Sequence, residues 1–312
     1  MAEHNHEHEH HHHHHEMPKT SHIEEALGKY NLEISDEEVK EAVKKIIAEK
    51  VHENDTPEVK RFMFGSIELT TLTTMDSYES VLQLVEKVNQ FDNEYPQMPH
   101  VATVVTYPRF TRLVSESLEV EGVIPTCVSG AFPTSQALIE VKTVETGLAV
   151  RDGAGNVDIV MHVGQFLSGD YETVCDEIQQ QKEACGDVPM KVILETGDLG
   201  SCANIKKASL LSMYSGADYI KTSTGKEKIS ATPEAVYVMC QAIKEYYDQT
   251  GIQVGLKPAG GINSVMDALI YYTIVKEVLG EKWLTNELFR LGTSRLANLL
   301  LSELTGVETK FF

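Results

Sequence analysis

The chain has 312 residues, and its 47 acidic residues outnumber its 27 Lys and Arg residues, so its formal net charge is −20. This length suits one large domain or two ordinary ones. The acidic balance argues against a nucleic acid or an anionic membrane as partner. The sequence shows neither an apolar run of about 18 residues nor a signal-peptide pattern, so we expect a soluble, cytoplasmic protein.

The five cysteines give no sign of a disulfide framework or a metal site. They are scattered along the chain without a Cys-x-x-Cys pair, at Cys127, Cys175, Cys185, Cys202 and Cys240. Such a pattern favours reduced thiols over disulfides or zinc ligands. We therefore predict a protein that uses no metal and no other cofactor.

The N-terminal part of the chain divides into two segments. Most of the thirteen histidines lie within residues 1–16, which we interpret as an expression tag. Residues 17–60 are polar and helical in pattern, and Ser35 with Glu38 predicts a capping box. We expect this N-terminal helical extension to plug one end of the domain or to extend an interface, with the main domain over residues 61–312.

A strand followed by a helix recurs through the rest of the chain. Helix starts are marked by Thr232 with Pro233 and by Ser264. The eight predicted strands begin near Phe64, Val101, Ile124, Val157, Met190, Asp218, Gln253 and Phe289. A doubly wound open sheet shows the same alternation. The count of eight and the lack of a Gly-x-Gly-x-x-Gly turn after the first strand favour an α/β fold of the (β/α)8 TIM-barrel class.

Charged and polar side chains lie towards the ends of these strands, where a purely structural barrel would hold aliphatic residues. They are Glu68 and Thr70, Asp158, Lys191 and Glu195, Lys221, and Lys257. Lys191 and Glu195 are four apart and are expected to share a face. Active sites of such barrels gather at the carboxyl ends of the strands. Because each buried charge costs several kcal/mol unless it is compensated, the set predicts a functional polar centre.

Two neighbouring lysines suggest a specific chemistry. A lysine is ordinarily protonated at neutral pH, but partial burial and a second ammonium both lower its pKa. If Lys257 lowers the pKa of Lys221 in this way, the neutral Lys221 amine can attack a carbonyl and form a protonated Schiff base. The iminium then withdraws electrons from the adjacent carbon–carbon bond without a metal. Asp158 is the candidate for moving protons.

Glycine-rich turns after three strands predict a phosphate site. The candidates are Gly225 and Lys226, Gly260 and Gly261, and Gly292 and Ser294. Glycine lets backbone N–H groups approach an anion, and a helix N-terminus adds donors and a favourable dipole. For His162, the sequence leaves open whether the side chain faces the pocket or has a structural role. For the Tyr107–Phe110 run, it leaves open whether these residues bind substrate or simply form a turn.

These motifs resemble deoxyribose-phosphate aldolase, a class I aldolase family. Tyr219–Lys226, Gly255–Ile262 and Val157–Val160 resemble its Schiff-base, second-lysine and aspartate strands. Further segments follow in family order over roughly residues 60–305, at Leu69–Leu72, Tyr107–Phe110, Lys191–Gly197 and Arg290–Ser294. The resemblance implies a TIM barrel that reversibly cleaves 2-deoxy-D-ribose 5-phosphate to glyceraldehyde 3-phosphate and acetaldehyde.

The resemblance also implies roles for individual residues. Lys221 would form the imine, Lys257 would lower the pKa of Lys221, and Asp158 with an ordered water would relay protons. The glycines, Lys226 and Ser294 of the phosphate site would surround the phosphate. The expected partner is therefore a small phosphorylated sugar, with a homodimer possible through an exposed apolar helix face.

Some positions depart from the family pattern. Glu68 replaces a shorter aspartate, Asn263 stands where some members have arginine, and Arg295 where others have serine. The C-terminal Lys310–Phe312 segment lacks the tyrosine that some members use for proton transfer. Two alternatives remain open, namely a Schiff-base aldolase for another phosphorylated sugar and a non-catalytic sugar-phosphate-binding barrel.

Overall fold

The structure is a computed structural model that describes residues 20–312, so the segment interpreted as a tag lies outside the described residues. The chain begins with three helices, α1 (Thr20–Leu27), α2 (Asp36–Lys50) and α3 (Pro57–Gly65). The Ser35 hydroxyl caps α2 by accepting from the backbone N–H of Glu38 at 3.4 Å, at the predicted position. Thr56 caps α3 in the same way, at 3.2 Å from the Val59 nitrogen.

Eight parallel strands form a single sheet that closes into a barrel. They are β1 (Ile67–Thr70), β2 (Thr103–Thr106), β3 (Ile124–Val128), β4 (Asn156–Val160), β5 (Met190–Ile193), β6 (Tyr219–Lys221), β7 (Gly255–Lys257) and β8 (Leu291–Gly292). Each of the strands β1 to β6 pairs with the next in sequence, and β8 pairs with β1. Bridges from Leu256 to Phe289 and from Ala259 to Gly292 join β7 to β8 and complete the circle. The predicted (β/α)8 barrel is confirmed.

Helices follow the strands and surround the barrel. They are α4 (Tyr78–Glu94), α5 (Thr111–Ser117), α6 (Ile139–Arg151), α7 (Val163–Leu167), α8 (Tyr171–Cys185), α9 (Cys202–Tyr214), α10 (Pro233–Thr250), α11 (Val265–Leu279) and α12 (Arg295–Thr305). The predicted starts are present: Thr232 caps α10 with Pro233 at its first position, and Ser264 caps α11. No helix within residues 20–312 is long and apolar enough to cross a membrane.

All eight predicted strands exist, although the first was placed too early. The prediction began that strand at Phe64, but Phe64 lies in the last turn of α3. Its ring stacks on Phe91 of α4 with 5.2 Å between centroids, so its apolar character serves helix packing. The Thr56–Pro57 start of α3 is the local signal that outweighs the strand-like residues that follow it.

The N-terminal helices pack on the outside of the helix ring. Helix α2 contacts α9, α10 and α11, while α1 contacts α8 and α9. Polar bonds support this packing: Tyr30 and Tyr214 hydroxyls lie 2.7 Å apart, and the Asn54 amide donates to the Thr273 hydroxyl at 2.9 Å. Helix α3 packs on α12 instead. The extension thus adds an outer layer over one side of the barrel.

Strand alternation separates an apolar outer layer from a polar interior. The strand residues that face the helices are fully buried, and they are Ile67, Leu69, Val104, Cys127, Val157, Ile159, Val192, Ile220, Leu256 and Leu291. The residues between them point towards the barrel axis, as the period of two requires. The five cysteines are buried and unpaired. The apolar layer therefore encloses the charged side chains that the sequence places on the opposite face.

Candidate active site

Asp158 lies at the centre of a buried group of lysines. Its Oδ2 atom lies 3.1 Å from Lys221 Nζ and 2.8 Å from Lys257 Nζ, while its Oδ1 atom lies 2.9 Å from Lys191 Nζ. The parallel register explains this meeting, because Asp158 pairs with Lys191 across β4 and β5, and Lys221 pairs with Lys257 across β6 and β7. Three lysines predicted from separate strands thus share one carboxylate.

Glu68 is the second carboxylate of this group. Its Oε1 atom lies 2.9 Å from Lys257 Nζ and 3.3 Å from Lys191 Nζ, and it accepts a hydrogen bond from the Thr103 hydroxyl at 3.0 Å. Burial alone would raise the pKa of Glu68, but Lys191 and Lys257 outweigh it and lower that pKa to about 2. The pKa of Asp158 is likewise held well below its ordinary value, despite burial, by its three lysine neighbours. Both carboxylates are therefore anionic.

The lysines differ in their protonation. Burial, followed by the nearby charge of Lys257, lowers the pKa of Lys221 from 10.5 to about 8, against the attraction of Asp158. Burial also acts on Lys257, but Asp158 and Glu68 outweigh it and raise the pKa of Lys257. Lys257 is thus the retained ammonium. The sequence interpretation gave Lys257 the leading role, whereas burial contributes more. The lower pKa increases the neutral fraction of Lys221 at neutral pH.

A cavity of about 430 Å³ opens at the carboxyl ends of the strands. Lys221 lines this cavity, whereas Lys191, Lys257, Asp158 and Glu68 are not among its described lining residues. The other charged side chains at its wall are Lys226 and Arg295, and the described wall includes no acidic residue. Such a volume suits a small metabolite. The cavity wall therefore presents the Lys221 amine together with two further cationic side chains.

All six predicted phosphate-site residues line this cavity, and with them Thr70, Asn263 and Arg295. Gly260 has a φ of +77°, and a Cβ there would lie 2.6 Å from the Ser230 hydroxyl, so this turn requires glycine. Helix α12 starts at the cavity wall and directs its first N–H groups to that end. Lys226 Nζ donates to the backbone carbonyl of Leu72. These features form a site suited to an anion.

Gly292 allows the second lysine to enter the barrel. A Cβ at this position would lie 2.8 Å from Lys257 Cε and 2.8 Å from the Ala259 Cβ atom. A side chain there would displace the ammonium that contacts Asp158. Gly292 thus both lines the cavity and leaves space for the charged cluster.

Glu195 was predicted to share the face of Lys191, but the structure does not bring it into the cluster. Strand β5 ends at Ile193, and Glu195 adopts a left-handed backbone with φ 56° and ψ 59°. Its carboxylate accepts from the Thr224 backbone nitrogen at 3.2 Å and from the Thr224 hydroxyl at 2.6 Å. Glu195 therefore orders the loop that carries Gly225 and Lys226.

The residues left open by the sequence have structural contacts. His162 caps α7, with Nδ1 accepting from the Gln165 nitrogen at 3.0 Å. The Tyr107 hydroxyl donates to the Leu72 carbonyl at 3.3 Å. Thr70 was predicted as part of the polar centre; it lines the cavity, and its hydroxyl donates to the backbone carbonyl of Glu68 at 2.9 Å.

The C-terminal aromatic residues engage the helix ring. Phe311 and Phe312 pack on Phe91 with ring centroids 5.4 and 5.6 Å away. The Asn298 side chain binds the backbone of Phe312 through two hydrogen bonds, of 2.8 and 3.0 Å. These two rings are not among the described residues of the cavity wall. The C-terminal rings therefore pack against the helix ring and not against Lys221.

Sequence reasoning missed three interior residues. Arg290 Nη1 lies 3.3 Å from Glu68 Oε2 and 3.3 Å from Asn156 Oδ1, and Lys191 also donates to Asn156 Oδ1 at 3.1 Å. Thr103 is the third. Asn156 lies two residues before Asp158, and Arg290 lies between apolar neighbours directly before β8. A search for inward polar positions along the whole length of each predicted strand, and not only at its end, would have found all three.

Comparisons with known proteins agree with this geometry. Residues 67–278 match the family described as DeoC/LacD family aldolase. Deoxyribose-phosphate aldolase of Homo sapiens is 39% identical over 240 residues, which cover 74% of this chain and 76% of that protein. The Mus musculus enzyme of the same name is 39% identical over 245 residues, covering 74% and 76%.

Solved structures show the same fold. The structure described as the unique tetrameric structure of deoxyribose phosphate aldolase from Aeropyrum pernix aligns with a TM-score of 0.62 at 26% identity. The alignment covers 84% of this chain and 98% of that one. The family match spans well over half of the chain, and the curated relatives share well over 30% of their residues with it. The chain belongs to the DeoC/LacD aldolase family.

Proposed function

We propose that the protein is a deoxyribose-phosphate aldolase, which reversibly cleaves 2-deoxy-D-ribose 5-phosphate to D-glyceraldehyde 3-phosphate and acetaldehyde through a Schiff base on Lys221. One observation carries the proposal: among the described lysines of the cluster, only Lys221 lines the cavity, and burial with the charge of Lys257 lowers its pKa to about 8. The relatives named above bear this activity in their names.

The first half of the reaction forms the iminium. The neutral Nζ atom of Lys221 attacks the C1 aldehyde carbon of the open-chain sugar, and a carbon–nitrogen bond forms. The resulting hydroxyl takes up a proton and leaves as water, which gives the protonated imine. Asp158 lies 3.1 Å from this nitrogen and bonds Lys257 through the same oxygen, so it supports proton movement here. Lys257 keeps its proton throughout.

The second half breaks the C2–C3 bond. The C3 hydroxyl gives up its proton, the C3–O bond becomes a carbonyl, and the C2–C3 electron pair moves into the iminium to give an enamine. D-Glyceraldehyde 3-phosphate leaves. The enamine takes up a proton at C2, and water then releases acetaldehyde and regenerates the Lys221 amine. Because the iminium nitrogen accepts the electron pair, no metal is required for this step.

The glycine-rich end of the cavity binds the phosphate in this proposal. Lys226 and Arg295 supply positive charge, and backbone N–H groups around Gly260 and at the start of α12 supply donors. The absence of acidic side chains from the described cavity wall supports a dianionic group there. Arg295 thus provides a guanidinium in a chain that has Asn263 where some relatives have arginine.

We further propose a cytoplasmic enzyme that has no nucleic-acid partner. Its five cysteines are free and buried, as expected where thiols stay reduced. Its net charge of −20 repels a polyanion.

We also propose that two copies associate through α6. Its exposed face carries Leu138, Val141, Val144 and Leu148, which are between 43% and 74% exposed. Beside this row lies Gly147, whose added Cβ would meet no described atom within 4 Å. A glycine inside a helix costs about 1 kcal/mol relative to alanine. The fold of a single copy does not require glycine at position 147, so we explain Gly147 by the close approach of a second copy.

An antiparallel pair of α6 helices satisfies both the shape and the charge of this face. If the twofold axis passes between residues 145 and 146, Val144 of one copy packs on Gly147 of the other. The same axis places Glu140 opposite Arg151; both lie on the helix face between Val144 and Gly147, and each is equally far from the axis along the helix. This self-complementarity favours a second copy over an unrelated partner.

Trapping with borohydride tests the Schiff base. After incubation with deoxyribose 5-phosphate and borohydride, mass spectrometry should find the reduced adduct on Lys221. Lys226→Met, which removes the other lysine of the cavity wall, should still be trapped, and Lys221→Met should not. Substrate binding without an adduct on Lys221 would favour the non-catalytic barrel.

The pH profile of Lys257→Met tests the charge relation. In the native enzyme, kcat/KM should rise as the pH passes through about 8, because the Lys221 amine must be neutral. Without the neighbouring ammonium, the Oδ2 atom of Asp158 pairs with Lys221 alone and raises the pKa of Lys221, so this rise should move to higher pH by about one unit.

Lys142→Met is the matched control for this variant. Lys142 is equally buried and pairs with Glu177 at 3.0 Å, but it lies on α6, outside the barrel. Its removal should leave the pH profile unchanged. An unshifted profile in Lys257→Met would show that Lys257 does not set the pKa of Lys221.

Phosphate recognition is tested by Lys226→Met. The KM for deoxyribose 5-phosphate should rise roughly tenfold, the effect of losing one charge-assisted bond of about 1.4 kcal/mol. The KM for unphosphorylated deoxyribose should stay the same. Lys228→Met, an exposed lysine two residues further along, should change neither. Equal losses with both sugars would contradict a phosphate role for Lys226.

Self-association is tested by Val144→Glu. Sedimentation velocity should show a dimer for the native chain and a monomer for this variant, since a carboxylate would be buried at the contact. Ile252→Glu is the control, because Ile252 is 53% exposed and lies outside α6. A dimer that persists in Val144→Glu would place the interface elsewhere.

A further inference from the structure

Arg290 is a buried charge that the proposed mechanism leaves without a role. It directly precedes β8, and its neighbours Phe289 and Leu291 are fully buried in the outer layer. Strand alternation therefore directs Arg290 to the barrel axis. It is 4% exposed, and the described residues of the cavity wall do not include it. Arg290 can therefore act on the chemistry only through other side chains.

Its contacts lead to the carboxylate that holds Lys257. Arg290 Nη1 lies 3.3 Å from Glu68 Oε2, while Glu68 Oε1 faces Lys257 and Lys191. The Arg290 guanidinium also lies 5.5 Å from the centre of the Tyr219 ring. By binding Oε2 of Glu68, Arg290 fixes the carboxylate in the orientation in which Oε1 contacts Lys257 and Lys191. Removal of Arg290 would leave Oε2 buried without a cationic partner.

The cluster also holds an excess of positive charge. Its members are Lys191, Lys221, Lys257 and Arg290 against Glu68 and Asp158, all buried. With every group ionised, two positive charges remain uncompensated, which is costly inside a protein. The guanidinium cannot release a proton in proteins, whereas an ammonium can. The excess positive charge must therefore be reduced by loss of a proton from one of the lysines.

Lys221 is the lysine that loses least by giving up its proton. Lys257 has two carboxylate partners, at 2.8 and 2.9 Å, and Lys191 has two at 2.9 and 3.3 Å. Lys221 has a single carboxylate oxygen at 3.1 Å and shares it with Lys257. It also faces the cavity, where its neutral amine is accessible.

We propose that Arg290 is a positioning residue for the Schiff-base lysine: as the permanent cation of the cluster, it holds Glu68 in place and makes Lys221 the group that gives up its proton. The inference deepens the proposed function and rests on it, although it concerns the protein before substrate binds.

The charged groups that face Lys221 or share its surroundings come from several elements. They are Asp158 on β4, Lys257 on β7, Lys191 on β5 and Glu68 on β1, with Glu195 after β5 and Lys226 and Arg295 at the cavity wall.

Titration of Lys221 by NMR, with lysine labelled at Cε, tests this role without relying on activity. The Lys221 signal is identified by its loss in Lys221→Met. Arg290→Met should raise the pKa of Lys221 by about one unit, so that about tenfold less neutral amine is present at pH 7. Lys142→Met, which removes a buried cation outside the cluster, should leave this pKa unchanged. The rate of borohydride trapping should fall with the neutral fraction and recover at high pH.

Arg290→Lys separates permanent charge from simple support. The introduced lysine can donate to Glu68 but can also lose its own proton, so the pKa of Lys221 should lie between the native and Arg290→Met values. If Arg290→Met does not fold, the test rests on Arg290→Lys alone. A Lys221 pKa in Arg290→Lys equal to that of the native protein would then overturn the proposal. An unshifted pKa in folded Arg290→Met, or an equal shift in Lys142→Met, would also overturn it. Failure of the aldolase proposal would instead appear as no adduct on Lys221 of the native chain, with the titration still readable.

Discussion

One carboxylate oxygen, Oδ2 of Asp158, is shared by two lysine nitrogens, and the site depends on this sharing. Two full ammonium groups cannot both be satisfied by one oxygen, so the protonation of Lys221 and Lys257 is coupled. Glu68 favours the protonated form of Lys257 over that of Lys221, because it binds Lys257 and not Lys221. The apolar layer around the barrel lowers the local dielectric and strengthens each of these interactions. In the proposed mechanism, a nucleophile and a fixed ammonium thus arise from two chemically identical side chains.

The barrel supplies this arrangement through its register. Parallel pairing sets Lys221 beside Lys257 and Asp158 beside Lys191, while alternation directs all four inward. The fold therefore positions the charges on rigid strands, and the loops at the carboxyl ends only complete the cavity. Such a centre opposes folding, since replacing buried ion pairs with apolar residues is often neutral or stabilising. The large aliphatic outer layer, unbroken around the barrel, offsets that cost.

The sequence allowed the repeating architecture and the strand-end charges to be predicted, because both follow from local patterns. It could not place Arg290, whose partners Glu68 and Asn156 lie 222 and 134 residues away and meet it only when the barrel closes. It misplaced Glu195, because a left-handed residue after β5 ends the alternation that the spacing assumed. It also underweighted burial as the cause of the low pKa of Lys221, since the depth of a side chain emerges only from packing.

The acidity of the whole chain and the cationic cavity are compatible because electrostatic screening separates them. At physiological salt, exposed charges interact weakly beyond about 8 Å. A long polyanion would meet the negative surface over its whole length, whereas a small sugar phosphate inside the cavity meets Lys226, Arg295 and backbone N–H groups at close range. The buried cluster beneath them also carries excess positive charge that solvent screens poorly. In the proposed function, the net charge therefore disfavours a long polyanion while the local field favours a small sugar phosphate.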